Sequence, residues 1–76
     1  MVVQQPMICQ VETYSGSRLH ERPRRFTWMG AWLEVAAVRA QWRGPEELNF
    51  ELVAADGGVF RLTYHFLRDE WRVARK

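Results

Sequence analysis

The sequence predicts an all-β chain: a small antiparallel meander of five or six strands, strongly twisted or partly closed into an SH3-like barrel. Three observations lead there. Across residues 50–73 the apolar positions recur with a period of two, as Phe50, Leu52 and Ala54, then Phe60, Leu62, Tyr64 and Phe66, then Trp71 and Val73; this is the pattern of half-buried strands. Turn-forming residues punctuate the alternation at Met29-Gly30, Asp56-Gly57-Gly58 and Arg68-Asp69. Finally, a flat sheet would leave one aromatic face in water, and the chain has no second layer to cover it, so the sheet is expected to curl on itself, which also removes its edges.

Taken in order, Ile8 to Thr13 reads as a first strand, with Cys9, Val11 and Thr13 on one side and Ile8, Gln10 and Glu12 on the other. Tyr14-Ser15-Gly16-Ser17 breaks it with a turn. Arg18 to Arg25 is a basic connection, either a loop or the lead-in to a second strand, and Pro23 biases Arg22 to an extended conformation. Phe26 to Trp28 and Ala31 to Val35 form a hairpin about Met29-Gly30, placing Phe26 opposite Leu33 and Trp28 opposite Ala31. Gly30 suits a type I′ turn; Met29, which would also need positive φ, does not.

Ala31 to Trp42 admits two readings. Ala31, Val35, Val38 and Trp42 fall at helical spacing, while Leu33, Val35 and Ala37 alternate with Trp32, Glu34 and Ala36. With only Gly30 as an N-cap, the strand is preferred, bulged or bent near Ala36-Ala37. Arg43 to Glu47 is a loop, and a strand starts near Leu48. A three-residue loop, Asp56-Gly57-Gly58, would pair Ala54 with Phe60, Leu52 with Leu62 and Phe50 with Tyr64, apolar against apolar. A turn about Arg68-Asp69 would pair Phe66 with Trp71 and Tyr64 with Val73. Arg75-Lys76 reads as a solvated tail.

At 76 residues the chain is expected to be one domain spanning residues 1–76, with the first seven residues loose. A chain this short buries only about 60% of its unfolded surface, and the four Trp and four Phe supply much of what it can bury. The single Cys9 cannot form an internal disulfide, which favours a reducing, cytoplasmic setting. No apolar run suits a membrane helix and no signal peptide is evident, so no membrane partner is expected. Net charge is +2, and all but one of the eleven basic residues are Arg, Lys76 being the exception. Arg suits bidentate phosphate or carboxylate contacts. A GC-rich genome also produces this bias, since Ile8, Asn49 and Lys76 are each the sole residue of their kind.

The run Tyr14-Ser15-Gly16, Glu21-Arg22-Pro23-Arg24-Arg25-Phe26, Gly30-Ala31-Trp32-Leu33-Glu34-Val35, Trp42 and the Asp56-Gly57-Gly58 hairpin resembles a family of small uncharacterised bacterial proteins. Its members share a Y-S-G … R-P-x-x-F … G-x-x-x-x-V … W pattern over nearly the whole chain. The resemblance implies a bacterial cytosolic domain and no particular activity.

Catalytic and metal-binding patterns are weak. His20, His65 and Cys9 have no ligand spacing, Ser15, Ser17 and His20 share one loop rather than forming a triad, and Glu12, Glu34, Glu51 and Glu70 fall on polar strand faces where pairing with Arg accounts for them. The chain is therefore read as non-enzymatic, without cofactor or metal. Two binding signals remain. Trp32 points opposite to Leu33 and Val35, and an outward Trp beside Arg is the composition of a protein–protein contact, with a partner or with a second copy. Alternatively, Arg18, Arg22, Arg24 and Arg25 could contact nucleic-acid phosphates, with nearby aromatics stacking on bases.

Overall fold

A computed structural model describes residues 6–14 and 22–76. It contains seven strands and, among the described residues, no helix: β1 (Met7–Cys9), β2 (Val11–Thr13), β3 (Pro23–Trp28), β4 (Ala31–Arg43), β5 (Glu47–Ala54), β6 (Val59–His65) and β7 (Glu70–Arg75). All neighbours are antiparallel, in the order β1-β7-β6-β5-β4-β3-β2. The two ends of that order, β1 and β2, are separated by Gln10 alone. The first strand anticipated over residues 8–13 is thus two short strands, and the count is seven rather than five or six. Its first half pairs with β7 and its second with β3, so one segment closes the sheet into a nearly complete barrel. Gln10 is fixed at the switch: the Thr27 N–H donates to its carbonyl (3.0 Å) and its own N–H donates to Thr27 Oγ1 (2.9 Å). Of the expected loose start, Met7 lies within β1, and residues 1–5 lie outside the described residues.

The inward alternation holds in β6, and in β5 the polar Asn49 is buried as well, between Leu48 and Phe50. Phe26, Leu48, Phe50, Leu52, Ala54, Phe60, Leu62, Tyr64 and Val73 are buried, and Cys9, Val11, Trp28, Leu33, Val35, Val38, Phe66 and Trp71 pack around them. Edge-to-face ring pairs run through this core, Phe26 and Trp28 both against Phe60 at 5.1 and 5.2 Å, a geometry that adds about 0.5–1.5 kcal/mol per pair beyond area burial.

The Met29-Gly30 hairpin has the expected register, with Phe26 opposite Leu33 and Trp28 opposite Ala31. Met29 (φ 51°) and Gly30 (φ 82°) are both left-handed, as a type I′ turn requires. The ambiguous segment is the long strand β4, and its register shifts between Val35 and Ala37 and again between Val38 and Ala40. Each shift is a bulge. The first moves Val38, rather than Ala37, onto the inner face, so the helix-like spacing of Val35 and Val38 is the trace of a bulged strand.

Two hairpins differ in register from expectation. In the β5–β6 hairpin the three-residue loop is Ala55-Asp56-Gly57, one residue earlier, and Leu52 faces Phe60 while Phe50 faces Leu62. Gly57 takes the left-handed position (φ 92°), the Gly57 N–H reaches the Ala54 carbonyl (2.9 Å), and Gly58 joins the ladder, its carbonyl accepting from the Ala54 N–H at 2.8 Å. In the β6–β7 hairpin the loop spans four residues, 66–69, and Tyr64 faces Trp71 while Leu62 faces Val73. Asp69 adopts φ 51° there, and the Phe66 N–H turns away to the Glu46 carbonyl (3.0 Å). Both shifts are by two residues, so each side chain keeps its predicted side. Arg75 and Lys76 are no solvated tail: Arg75 ends β7, the Lys76 N–H bonds the Val59 carbonyl (2.8 Å) and its ammonium reaches Glu51 Oε1 at 2.9 Å.

Candidate functional site

Where β1 and the β3–β4 hairpin part company, the barrel wall opens. Beyond Gln10, β1 follows β7, while Trp28 to Gly30 continue into the hairpin tip. Between them lies an open cleft of about 550 Å³, lined on one side by residues 7–10 and on the other by Thr27 to Gly30 and Trp32, with Val73 at its base. Among the described residues β1 pairs with β7 alone, which leaves its other backbone edge facing this cleft.

The rim is apolar. Met7, Ile8, Met29 and Trp32 are 40%, 68%, 77% and 41% exposed, four of the seven large hydrophobic residues that are exposed among those described. The local fold accounts for each. Ile8 points outward because Cys9 on its flank points in. Met29 occupies the first left-handed position of the turn, which aims it away from the barrel. Trp32 lies opposite Thr27 on the outer face of β4, confirming that the Leu33 and Val35 side is the buried one.

Trp32 is supported from behind. The Arg25 guanidinium lies 4.7 Å from its ring centroid and is held there by Glu12, its cross-strand neighbour, through Nε–Oε1 and Nη2–Oε2 hydrogen bonds, both 2.8 Å. The hydrogen bond to Arg25 lowers the Glu12 pKa, and the same bond raises that of Arg25. The bidentate pair and the stacked ring thus engage Arg25 on two sides. Cys9, half-buried at the cleft wall, is pushed by burial to a pKa of about 12. It is a protonated thiol at neutral pH and packs against the core.

Of the predicted basic set, Arg22, Arg24 and Arg25 are described. Arg22 is exposed and lies 5.8 Å from the exposed ring of Tyr14. Arg24, exposed, is the extra residue of a bulge in β3, between Pro23 opposite Thr13 and Arg25 opposite Glu12. Arg18 lies outside the described residues, as do Ser15, Ser17 and His20. The acidic residues pair largely as expected: Glu12 with Arg25, Glu51 with Lys76 and Arg39, and Glu70 with Arg72. Among the described residues no three His, Cys, Asp or Glu side chains come together as a metal site, and no helix is long and apolar enough to cross a membrane.

Sequence reasoning identified Trp32 but missed Met7, Ile8 and Met29. A signal was present for Met29, a methionine in a turn position that asks for Asn, Asp or Gly. The exposure of Ile8 depends on β1 leaving β3 at Gln10, a tertiary event that no local pattern announces. Compared with known proteins, the chain matches no family model, no curated protein and no solved structure.

Proposed function

We propose that this chain is a non-enzymatic binding module that docks an extended, apolar segment of a protein partner in the closure cleft. The reading rests on one observation: Met7, Ile8, Met29 and Trp32 are exposed together around a cleft edged by β1, which among the described residues is paired on one side only. An extended segment added to the open edge of β1 would satisfy backbone groups, and its alternate side chains would reach the apolar rim. The neighbouring Trp32–Arg25 stack has the residue types that dominate binding energy in protein interfaces. Met29 supports the same reading. A bulky side chain in the left-handed region costs about 1–2 kcal/mol, and backbone strain of this kind collects where binding demands it. A bacterial cytosolic setting, which the resemblance to small bacterial proteins implies, belongs to the same proposal.

The experiment is selection of peptides from a random display library on the full chain, with Trp32→Ala and Met29→Asn as comparison baits. Selected peptides are expected to alternate apolar residues and to perturb the amide signals of residues 7–10 and 28–32. Trp32→Ala should weaken them at least tenfold. Met29→Asn should weaken binding while stabilising the fold by up to about 1 kcal/mol. Selection of the same peptides by all three baits would sink the proposal. Sedimentation of the free chain covers the remaining occupant: a dimer that dissociates on Trp32→Ala would assign the cleft to a second copy instead.

A further inference from the structure

We infer that the closure cleft is a modification site: peroxide converts Met29 and then Met7 to methionine sulfoxide, turning the apolar rim polar while Cys9 stays reduced. As a control on docking this rests on the function proposed above; as a pattern of reactivity it does not. The chain carries three Met and one Cys. Met1 lies outside the described residues, and the other three sulfur-bearing residues all line this one cleft, Met7 and Cys9 on the β1 wall and Met29 on the hairpin wall. A thioether is a soft apolar group while reduced and a polar, chiral one once oxidised. The sulfur is therefore placed where a change of polarity alters the rim most.

The surroundings of the three residues set their order of reaction. Met29 is 77% exposed at the turn tip and Met7 is 40% exposed, whereas Cys9 is half-buried and packs against the core. Burial also withholds the reactive form of the thiol. A thiol pushed to about 12 holds roughly a thousandfold less thiolate at pH 7 than one at the ordinary value of about 8.5, and the thiolate is the nucleophile. A thioether has no proton to lose. Its sulfur lone pair attacks one peroxide oxygen, the O–O bond breaks and an S–O bond forms. Sulfur gives up two electrons, and the departing hydroxide takes the proton of the transferred oxygen to leave as water.

The two methionines differ in what oxidation does to the fold. Met29 occupies the first left-handed position of the turn, φ 51°, at the hairpin tip, so its sulfoxide changes the rim and leaves the packing alone. Met7 lies opposite buried Val73 in the β1–β7 ladder, and a sulfoxide there also loosens the strand that closes the barrel. Mild oxidation thus removes an apolar group from the docking rim, and heavier oxidation weakens the wall of the cleft itself.

Hydrogen peroxide at pH 7 on the full chain, followed by tandem mass spectrometry of its tryptic peptides, tests the inference. Met29 is expected to oxidise about twofold faster than Met7, and Cys9 at least tenfold more slowly than either. In concentrated urea Cys9 should become the first to react, which ties the order to the fold. Peptides selected on the reduced chain should bind the oxidised chain at least tenfold more weakly, and a methionine sulfoxide reductase should restore them. In Met7→Leu/Met29→Leu the ratio of affinities before and after peroxide should fall to about one, whatever the starting affinity; the reductase arm needs no variant and stands if this one does not fold. Oxidation of Cys9 before Met29 in the folded chain overturns the inference. So does a peptide affinity that peroxide leaves unchanged, a result under which the docking function would still stand. If no peptide is selected, the docking function falls by itself, and the dye ANS, which reports exposed apolar surface, decides the inference on the free chain. Its fluorescence should drop when the wild type is oxidised and hold in the double Leu variant; no drop overturns the inference.

Discussion

Tyr64 and Cys9 tie single side chains to the pH at which the fold holds. The Tyr64 hydroxyl donates to the Asp69 carboxylate. That hydrogen bond first, and burial second, push its pKa up to about 12, while burial alone takes the Cys9 thiol to about 12. Both values lie above those of the unfolded chain, about 10 and 8.5. The folded state therefore keeps its protons where the unfolded state has shed them. The contribution of these groups is complete below about pH 8 and is lost as pH rises toward 12. Urea midpoints are expected to be level from pH 6 to 8 and to fall steadily above 9. In Tyr64→Phe the part of the fall above pH 10 should shrink; a midpoint that holds to pH 11 in the wild type would refute the assignment. Tyr64 was legible as an inward residue from its place in the alternation. Its partner was not, because Asp69 reaches it only through the four-residue loop. The Arg18–Arg25 run shows the same limit: nothing in its local pattern announces the bulge at Arg24 or the bidentate hold of Glu12 on Arg25.

At the scale of elements, parity was legible and register was not. Side chains alternate with a period of two whatever the loop length, so the core of β5, β6 and β7 could be named before its pairing was known. Loop placement depends on which residue takes the left-handed conformation, and Gly57 and Gly58 were equal candidates. The structure separates them, and substitution should do likewise. Gly57→Ala puts a Cβ at φ 92° in open space, so its cost is conformational, about 1–2 kcal/mol. A Cβ on Gly58 would lie 2.8 Å from Phe60 Cε1, so Gly58→Ala must displace a ring that packs against Phe26 and Trp28. Urea denaturation should show both variants destabilised. Only Gly58→Ala should alter near-ultraviolet circular dichroism, and a changed aromatic spectrum in Gly57→Ala would contradict this division. In β4 the ambiguity between helix and strand had a physical source, since a bulge inserts one residue and converts a spacing of two into three.

For the whole molecule, closure could be argued from the sequence on the ground that an aromatic face needs cover. The manner of closure could not, because it rests on pairing Met7 with Val73, across nearly the whole chain. That ladder has a consequence in time. The β3–β4, β5–β6 and β6–β7 hairpins each close a loop of a few residues, whereas joining β1 to β7 closes the longest loop in the molecule and carries the largest entropic cost. The order of assembly is thus written into the topology: the meander first, the N-terminal strand last. Amide exchange should report it, with Ile8 and Cys9 exchanging through a lower-energy opening than Leu62 or Phe50; equal protection across β1 and β6 would exclude such an order. The closure cleft is then a late product of folding, assembled only when the first strand meets the last, and an incompletely folded chain has no finished surface there to offer a partner.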